Sequence, residues 1–150
     1  MTLASVPTTH RIRPPGRPAS QVEYRVPFFD TDAMGVVHHA NYLRYFELAR
    51  TQFLEEQDAP YETYLALGLH FAVIRCEVEY CLSARFGERL EVSCWLESVG
   101  GASVCMGYRI ERAGNLIATG STEHALIDET GKPRRIPRER RKALQALTQP

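Results

Sequence analysis

Two aspartates, Asp30 and Asp32, stand two residues apart and are followed by Gly35 and the pair His38-His39. Carboxylates and imidazoles are the side chains that serve as general bases, nucleophiles and metal ligands. A helix starting just after the histidines presents unpaired N–H groups and a partial positive charge. Such a helix end polarises a carbonyl oxygen and stabilises the oxyanion formed on attack. A carboxylate a few residues upstream faces the same carbon from another side, which supplies the second part of an acyl-transfer site. Gly35 permits the positive φ that a tight turn between the two would need. The same spacing also reads as a capped turn, because Asp side chains bond nearby backbone N–H groups. Spacing alone leaves both readings open. No metal is assigned to Asp30, Asp32, His38 and His39: adjacent histidines are expected to diverge, and the spacing matches no standard ligand pattern. No cofactor is assigned either.

Positioning these residues falls to the elements on either side. Val22, Tyr24, Val26 and Phe28 alternate with Glu23, Arg25 and Pro27, the period-two pattern of a strand with one buried face. From about His39 to Gln57 the period changes. Tyr42, Phe46, Ala49 and Phe53, with Leu43 and Leu54 beside them, form one broad apolar face of a helix. Pro60 and Gly68 bracket a short irregular or helical connection. Four further alternating runs follow, through Ala72–Tyr80, Leu90–Leu96, Ala102–Ile110 and Ile117–Ile127. Gly100-Gly101 and Ala113-Gly114-Asn115 mark turns too short for a crossover helix. The expected order is a strand, a long helix and four strands in a meander, with the helix stripe buried against the sheet. Ile136-Pro137 opens a short terminal helix containing Ala143, Leu144 and Leu147. The expectation is one α+β domain over residues 21–150.

The whole chain agrees with that size. Its 150 residues are 44% hydrophobic and 24% charged, ordinary for a globular domain. Residues 1–20 hold four prolines and three arginines with no acid, and read as a flexible tail. They carry no apolar stretch of a secretory signal, and no run approaches the roughly 18 apolar residues of a membrane helix. The cytoplasm is the expected address. Cys76, Cys81, Cys94 and Cys105 form no C-x-x-C pair and read as small buried hydrophobes. The zero net charge hides an asymmetry: residues 21–131 carry eight basic and seventeen acidic side chains, a net of −9, whereas Lys132–Lys142 carries seven basic residues against Glu139. That run lacks interleaved aromatics and any nucleic-acid module, so no nucleic acid is implied.

The segment from Tyr24 to Glu47 pairs Asp30-Thr31-Asp32-Ala33-Met34-Gly35-Val36-Val37 with His39-Ala40-Asn41-Tyr42-Leu43-Arg44-Tyr45-Phe46-Glu47. It resembles the signature of the hotdog-fold 4-hydroxybenzoyl-CoA thioesterase family, nearest its Tol-Pal-associated acyl-CoA thioesterase branch. The resemblance continues more weakly through Phe71-Ala72-Val73 and Val78-Glu79-Tyr80 to about residue 140, and leaves out residues 1–20. It implies a hotdog fold, an antiparallel five-stranded sheet wrapped around one long central helix, and hydrolysis of acyl-CoA to free acid and coenzyme A. It places the catalytic carboxylate, nucleophile or general base, on Asp32. The backbone N–H that meets the thioester carbonyl falls at His39, whose side chain matches one proposed as catalytic in that branch. Gly35, Val36 and Val37 would shape the turn between carboxylate and helix. His38 and Asn41 join them as substrate-binding positions, Asn41 as helix cap or site-lining amide.

Two positions depart from the family pattern: Phe28 stands where a tyrosine is usual, and His38 where Tyr or Phe is usual. Glu47, on a helix stripe with Leu43, Arg50 and Leu54, reads as an ion-pair partner of Arg44 or Arg50. Ser83, Arg85 and the run 132–142 are candidates for the coenzyme A phosphates. The implied partners are the acyl-CoA and further copies of the chain, a homodimer and beyond it a homotetramer. The same fold would also suit a hydratase or dehydratase, a non-catalytic acyl-thioester-binding module, or a thioesterase acting on acyl-carrier protein.

Overall fold

The computed structural model describes residues 10–149. Strand β1 (Ala19–Arg25) stops before Pro27, which lacks the N–H a sheet ladder needs, and a 3-10 turn at Phe28–Asp30 follows. Helix α1 (Asn41–Gln57) buries Tyr42, Tyr45, Phe46, Ala49, Phe53 and Leu54. This is the expected stripe, widened by Tyr45, while Leu43 stays at the solvent edge. The connection between Pro60 and Gly68 is helix α2 (Tyr61–Ala66), and Gly68 leaves it with φ +67°. Strands β2 (Leu69–Tyr80), β3 (Arg89–Val99), β4 (Ser103–Arg112) and β5 (Asn115–Asp128) complete the sheet, and helix α3 (Arg138–Ala146) closes the chain after Pro137.

The sheet order is β1-β3-β4-β5-β2, antiparallel throughout. This is the expected sheet around one long helix, with one correction to the meander. β3, β4 and β5 follow as hairpin neighbours, but β2 pairs with β5 at the far edge and β1 with β3. Residues 81–88 make that possible. Three strand spacings amount to about 14 Å, and roughly five extended residues cover it, so this connection is long enough to skip two strands.

α1 lies across one face of the sheet. Phe46 stacks on Tyr108 with ring centroids 4.3 Å apart. A Cβ at Gly120 would run into the Phe46 ring and the Glu77 carbonyl, so this glycine sets how closely helix and sheet approach. Phe46 and Phe53 are both wholly buried, and each contributes about 2–3 kcal/mol through burial. At the other end of α1, Arg140 reaches Asp58 at 3.4 Å and Leu144 is buried, so α3 closes the core there.

Within the span read as a tail, residues 1–9 lie outside the described residues. Arg17 donates to the carbonyls of Leu96, Glu97 and Thr148, Arg11 pairs with Glu97 at 3.0 Å, and β1 already begins at Ala19. The cysteines are all free, and only Cys94 is the buried hydrophobe expected of the four. Cys76 is exposed because β2 is an edge strand whose middle, from Val73 to Glu77, is uncovered. No described helix is long and apolar enough to cross a membrane.

Candidate active site

The loop between β1 and α1 is held by its first aspartate. Asp30 is 1% exposed, and its Oδ2 accepts the hydroxyls of Tyr24 (2.8 Å) and Tyr45 (2.7 Å). Its backbone carbonyl accepts the His38 N–H at 2.9 Å and the Asn41 side-chain amide at 2.8 Å. Arg44 stands 3.9 Å from Oδ1. One residue thus ties β1, the loop and the first turns of α1 together. Burial, then the Asp30 carboxylate, pushes Tyr24 up to about 12 and raises Tyr45 further, so both phenols remain proton donors to it. The two tyrosines escaped sequence reasoning. The available signal was that a buried Tyr hydroxyl needs a partner, and Tyr24 and Tyr45 flank the aspartates on both sides.

Asp32 opens the next turn. Its N–H donates to the Val36 carbonyl (2.8 Å), its carbonyl accepts the Gly35 N–H (2.9 Å), and Oδ1 accepts the Met34 N–H (2.8 Å). Gly35 has φ +76°, a conformation that glycine adopts without strain. The capped-turn reading therefore holds for one oxygen of Asp32. Its Oδ2 accepts no hydrogen bond among the described residues, and the residue is half-buried. Val37 closes the turn by a bridge to Thr31, and Val36 bridges to Arg85. The Arg85 guanidinium comes within 3.5 Å of where a Gly35 Cβ would stand, so a cation borders the loop.

At the start of α1, Ala40 occupies the cap position and offers no side-chain bond. Asn41 lies inside the first turn, and its amide serves Asp30 instead of capping the helix. The His39 N–H donates to no acceptor among the described residues, whereas the His39 carbonyl accepts the Tyr80 hydroxyl at 2.8 Å. Tyr80, read from the sequence only as a strand residue, thereby fixes the peptide that follows His39, while the peptide carrying the His39 N–H is held by the His38 carbonyl, which accepts the Asn41 N–H at 2.9 Å. The expected divergence of the histidines is corrected: the His38 and His39 rings stack at 4.1 Å, because the His38 Nδ1 accepts the Ala40 N–H and folds the ring over the turn. A shallow depression lined by Val36, Val37, His39, Tyr42, Tyr80 and Ser83 opens beside the His39 peptide. Asp32 is not among its lining residues. Phe28 (74% exposed), Phe29 (79%) and Met34 (78%) project from the same loop. The basic run 132–142 packs at the opposite end of α1, by Asp58 and Asp128, away from His39. Among the described residues, the one grouping of metal-capable side chains is His10, Glu79 and Cys81; it includes neither aspartate nor either histidine of the loop, and its Cys81 lines the depression beside His39.

A larger cavity of about 340 Å³ lies near the C-terminal half of α1, between that helix, the sheet and α3. His124 of β5 lines it, 1% exposed. Burial, then the charge of Arg50, holds its imidazole down to about 3 from an ordinary 6.5. The unfolded chain takes up this proton below pH 6.5 and the folded chain does not. Stability is therefore intact above that pH and is lost as pH falls from 6.5 towards 3. Going from pH 7 to pH 5 should cost about 2 kcal/mol through this group. Thermal melts of His124→Gln should be correspondingly flatter over that interval, and an unchanged slope would exclude His124 as the source.

A family model described as the thioesterase-like superfamily matches residues 26–145. A putative esterase of Aquifex aeolicus is 34% identical over 115 residues, covering 77% of this chain and 89% of that protein. The acyl-CoA thioesterase YbgC of Haemophilus influenzae is 34% identical over 125 residues, covering 82% and 92%. Among solved structures, a hypothetical protein from Thermus thermophilus superposes with a TM-score of 0.82 at 36% identity, over 88% of this chain and 99% of that one. The DHNA-CoA thioesterase of Staphylococcus aureus gives 0.80 at 31% identity, over 86% and 92%.

Proposed function

Since the chain belongs to the thioesterase-like superfamily, we propose that it hydrolyses acyl-CoA thioesters at the Asp32–His39 loop. The observation that carries this reading is the His39 N–H at an uncapped helix start, unpaired among the described residues, its peptide plane fixed by the His38 carbonyl accepting the Asn41 N–H, seven residues after a carboxylate whose second oxygen has no partner there either. The thioester carbonyl oxygen accepts the His39 N–H, a bond that strengthens as the oxygen gains charge and so lowers the barrier differentially. Asp32 acts by one of two routes. As nucleophile, its oxygen bonds to the carbonyl carbon, the C–S bond breaks with the electron pair leaving on sulfur, and water opens the mixed anhydride. As general base, it takes a proton from water while the water oxygen attacks the carbonyl carbon, and the C–S bond then breaks with the electron pair leaving on sulfur, which takes up a proton. Arg85, beside Gly35, is placed to meet a coenzyme A phosphate.

The substrate lies across a subunit boundary in this proposal. β2 is an edge strand with exposed Val73 and Ile74, and Phe28, Phe29 and Phe86 leave an aromatic surface beside the loop. Uncovered apolar edges of this kind favour pairing with a second copy, which supports a homodimer and, by further pairing, a homotetramer. Incubating the full-length chain with short, long and aromatic acyl-CoAs and following free thiol tests the function. Release of coenzyme A thiol is expected for at least one class. A chain that binds acyl-CoA without releasing thiol would be a binding module, and one that consumes an enoyl thioester without thiol release would be a hydratase.

A further inference from the structure

The cavity near the C-terminal half of α1 has a polar end with a defined hydrogen-bond direction. Arg50 Nη1 donates to the Tyr108 hydroxyl (3.3 Å), which stands 2.6 Å from Thr122 Oγ1, itself 2.7 Å from His124 Nε2. Arg can only donate. The arrangement that uses every hydroxyl proton therefore runs one way: Arg50 to Tyr108, Tyr108 to Thr122, Thr122 to His124 Nε2. That leaves the neutral His124 as the Nδ1–H tautomer, and Nδ1 is closed off from solvent without a partner among the described residues. Arg50, only partly exposed, has no carboxylate within 4 Å among the described residues, although Glu47 stands at the cavity rim. A partly buried guanidinium without a carboxylate partner is costly, and an anionic acceptor in the cavity compensates it. The remaining wall is apolar, with Leu54, Phe71, Leu96, Val104 and Met106.

The cavity is also in line with the loop. Leu43, Glu47, Arg50 and Leu54 follow one another at spacings of four, three and four residues, which keeps them on one side of α1, and His39 stands two residues before that helix begins. β2 runs beside that stripe, with Tyr80 at His39 and Phe71 in the cavity wall. The nine helical steps from Asn41 to Arg50 cover about 14 Å of helix axis, with His39 two residues beyond, a span suited to a long acyl chain.

We infer that the cavity receives the far end of the acyl group and selects chains that end in a carboxylate, with Arg50 as its donor. The inference rests on the acyl-CoA reading of the Asp32–His39 loop. Its test compares dodecanoyl-CoA with ω-carboxyundecanoyl-CoA, which has the same number of acyl carbons, on the full chain. At least tenfold higher kcat/KM is expected for the carboxylate-ended substrate, and Arg50→Met should bring that ratio to one or below. Equal rates, or preference for the methyl-ended chain, in the unmutated protein would overturn the assignment without touching the hydrolysis itself. Absence of thiol release from both, and from the short and aromatic acyl-CoAs as well, would instead defeat the hydrolytic reading. Calorimetry of the two intact thioesters then still reads the cavity, with tighter binding of the carboxylate-ended one expected and equal binding overturning it.

Discussion

Asp32→Asn should lower acyl-CoA hydrolysis by about 10²-fold or more, the scale of losing a general base or nucleophile. The substitution is chosen because of what Oδ1 already does. An asparagine keeps an oxygen for the Met34 N–H, so the turn, the Gly35 conformation and the His39 peptide stay in place. What disappears is the negative charge and the second oxygen, which has no partner among the described residues. The melting transition should therefore move little while turnover collapses, read by thiol release and a thermal scan on the same preparation. Asp32→Ala would confuse the two effects, since losing a cap of this kind costs about 1 kcal/mol by itself. Near-normal turnover by Asp32→Asn would remove Asp32 from the chemistry and leave it as the capped turn that spacing also allowed.

Asp30→Asn should show the opposite pattern. Its carboxylate is buried and accepts two tyrosine hydroxyls from different elements. An amide offers a single acceptor oxygen and adds two donors where the surroundings already supply donors, including Arg44. Hydrogen bonds to charged groups contribute about 1.5–3 kcal/mol each, so a loss of about 2–4 kcal/mol is expected. That is a large part of the roughly 5–15 kcal/mol by which such domains are stable. Denaturant unfolding should show a lower midpoint with an unchanged slope. Folded Asp30→Asn protein should keep turnover within about tenfold of the parent, well short of a base or nucleophile loss. If Asp30→Asn instead kept its stability and lost its turnover, the roles of the two aspartates would be exchanged.

Much of this architecture is local in origin. The period change at His39 sets α1, because a 3.6-residue stripe from Tyr42 to Phe53 can bury itself only as a helix. The alternation in β3 to β5, broken at Gly100-Gly101 and Ala113-Gly114-Asn115, sets three antiparallel neighbours. The Asp32 turn with Gly35 is equally local, its bonds spanning two to four residues. Other features join residues far apart in the chain. β2 next to β5 depended on a connection whose length permits both a hairpin and a crossing, and only the packing of the completed sheet chose between them. The His38–His39 stack depended on one backbone N–H, a geometry that residue types do not specify.

The loop's residues and the turn that carries Asp32 are thus determined by the sequence itself, since they need only neighbouring backbone groups and one glycine. The tertiary structure decided which oxygen of Asp32 is engaged, that Asp30 is buried between Tyr24 and Tyr45, and that Tyr80, from the far edge of the sheet, holds the His39 carbonyl. It also assembled Arg50, Tyr108, Thr122 and His124 into one directed chain from a helix and two strands. Hydrogen bonds among buried side chains are set by where the elements pack, and that packing is a property of the whole core.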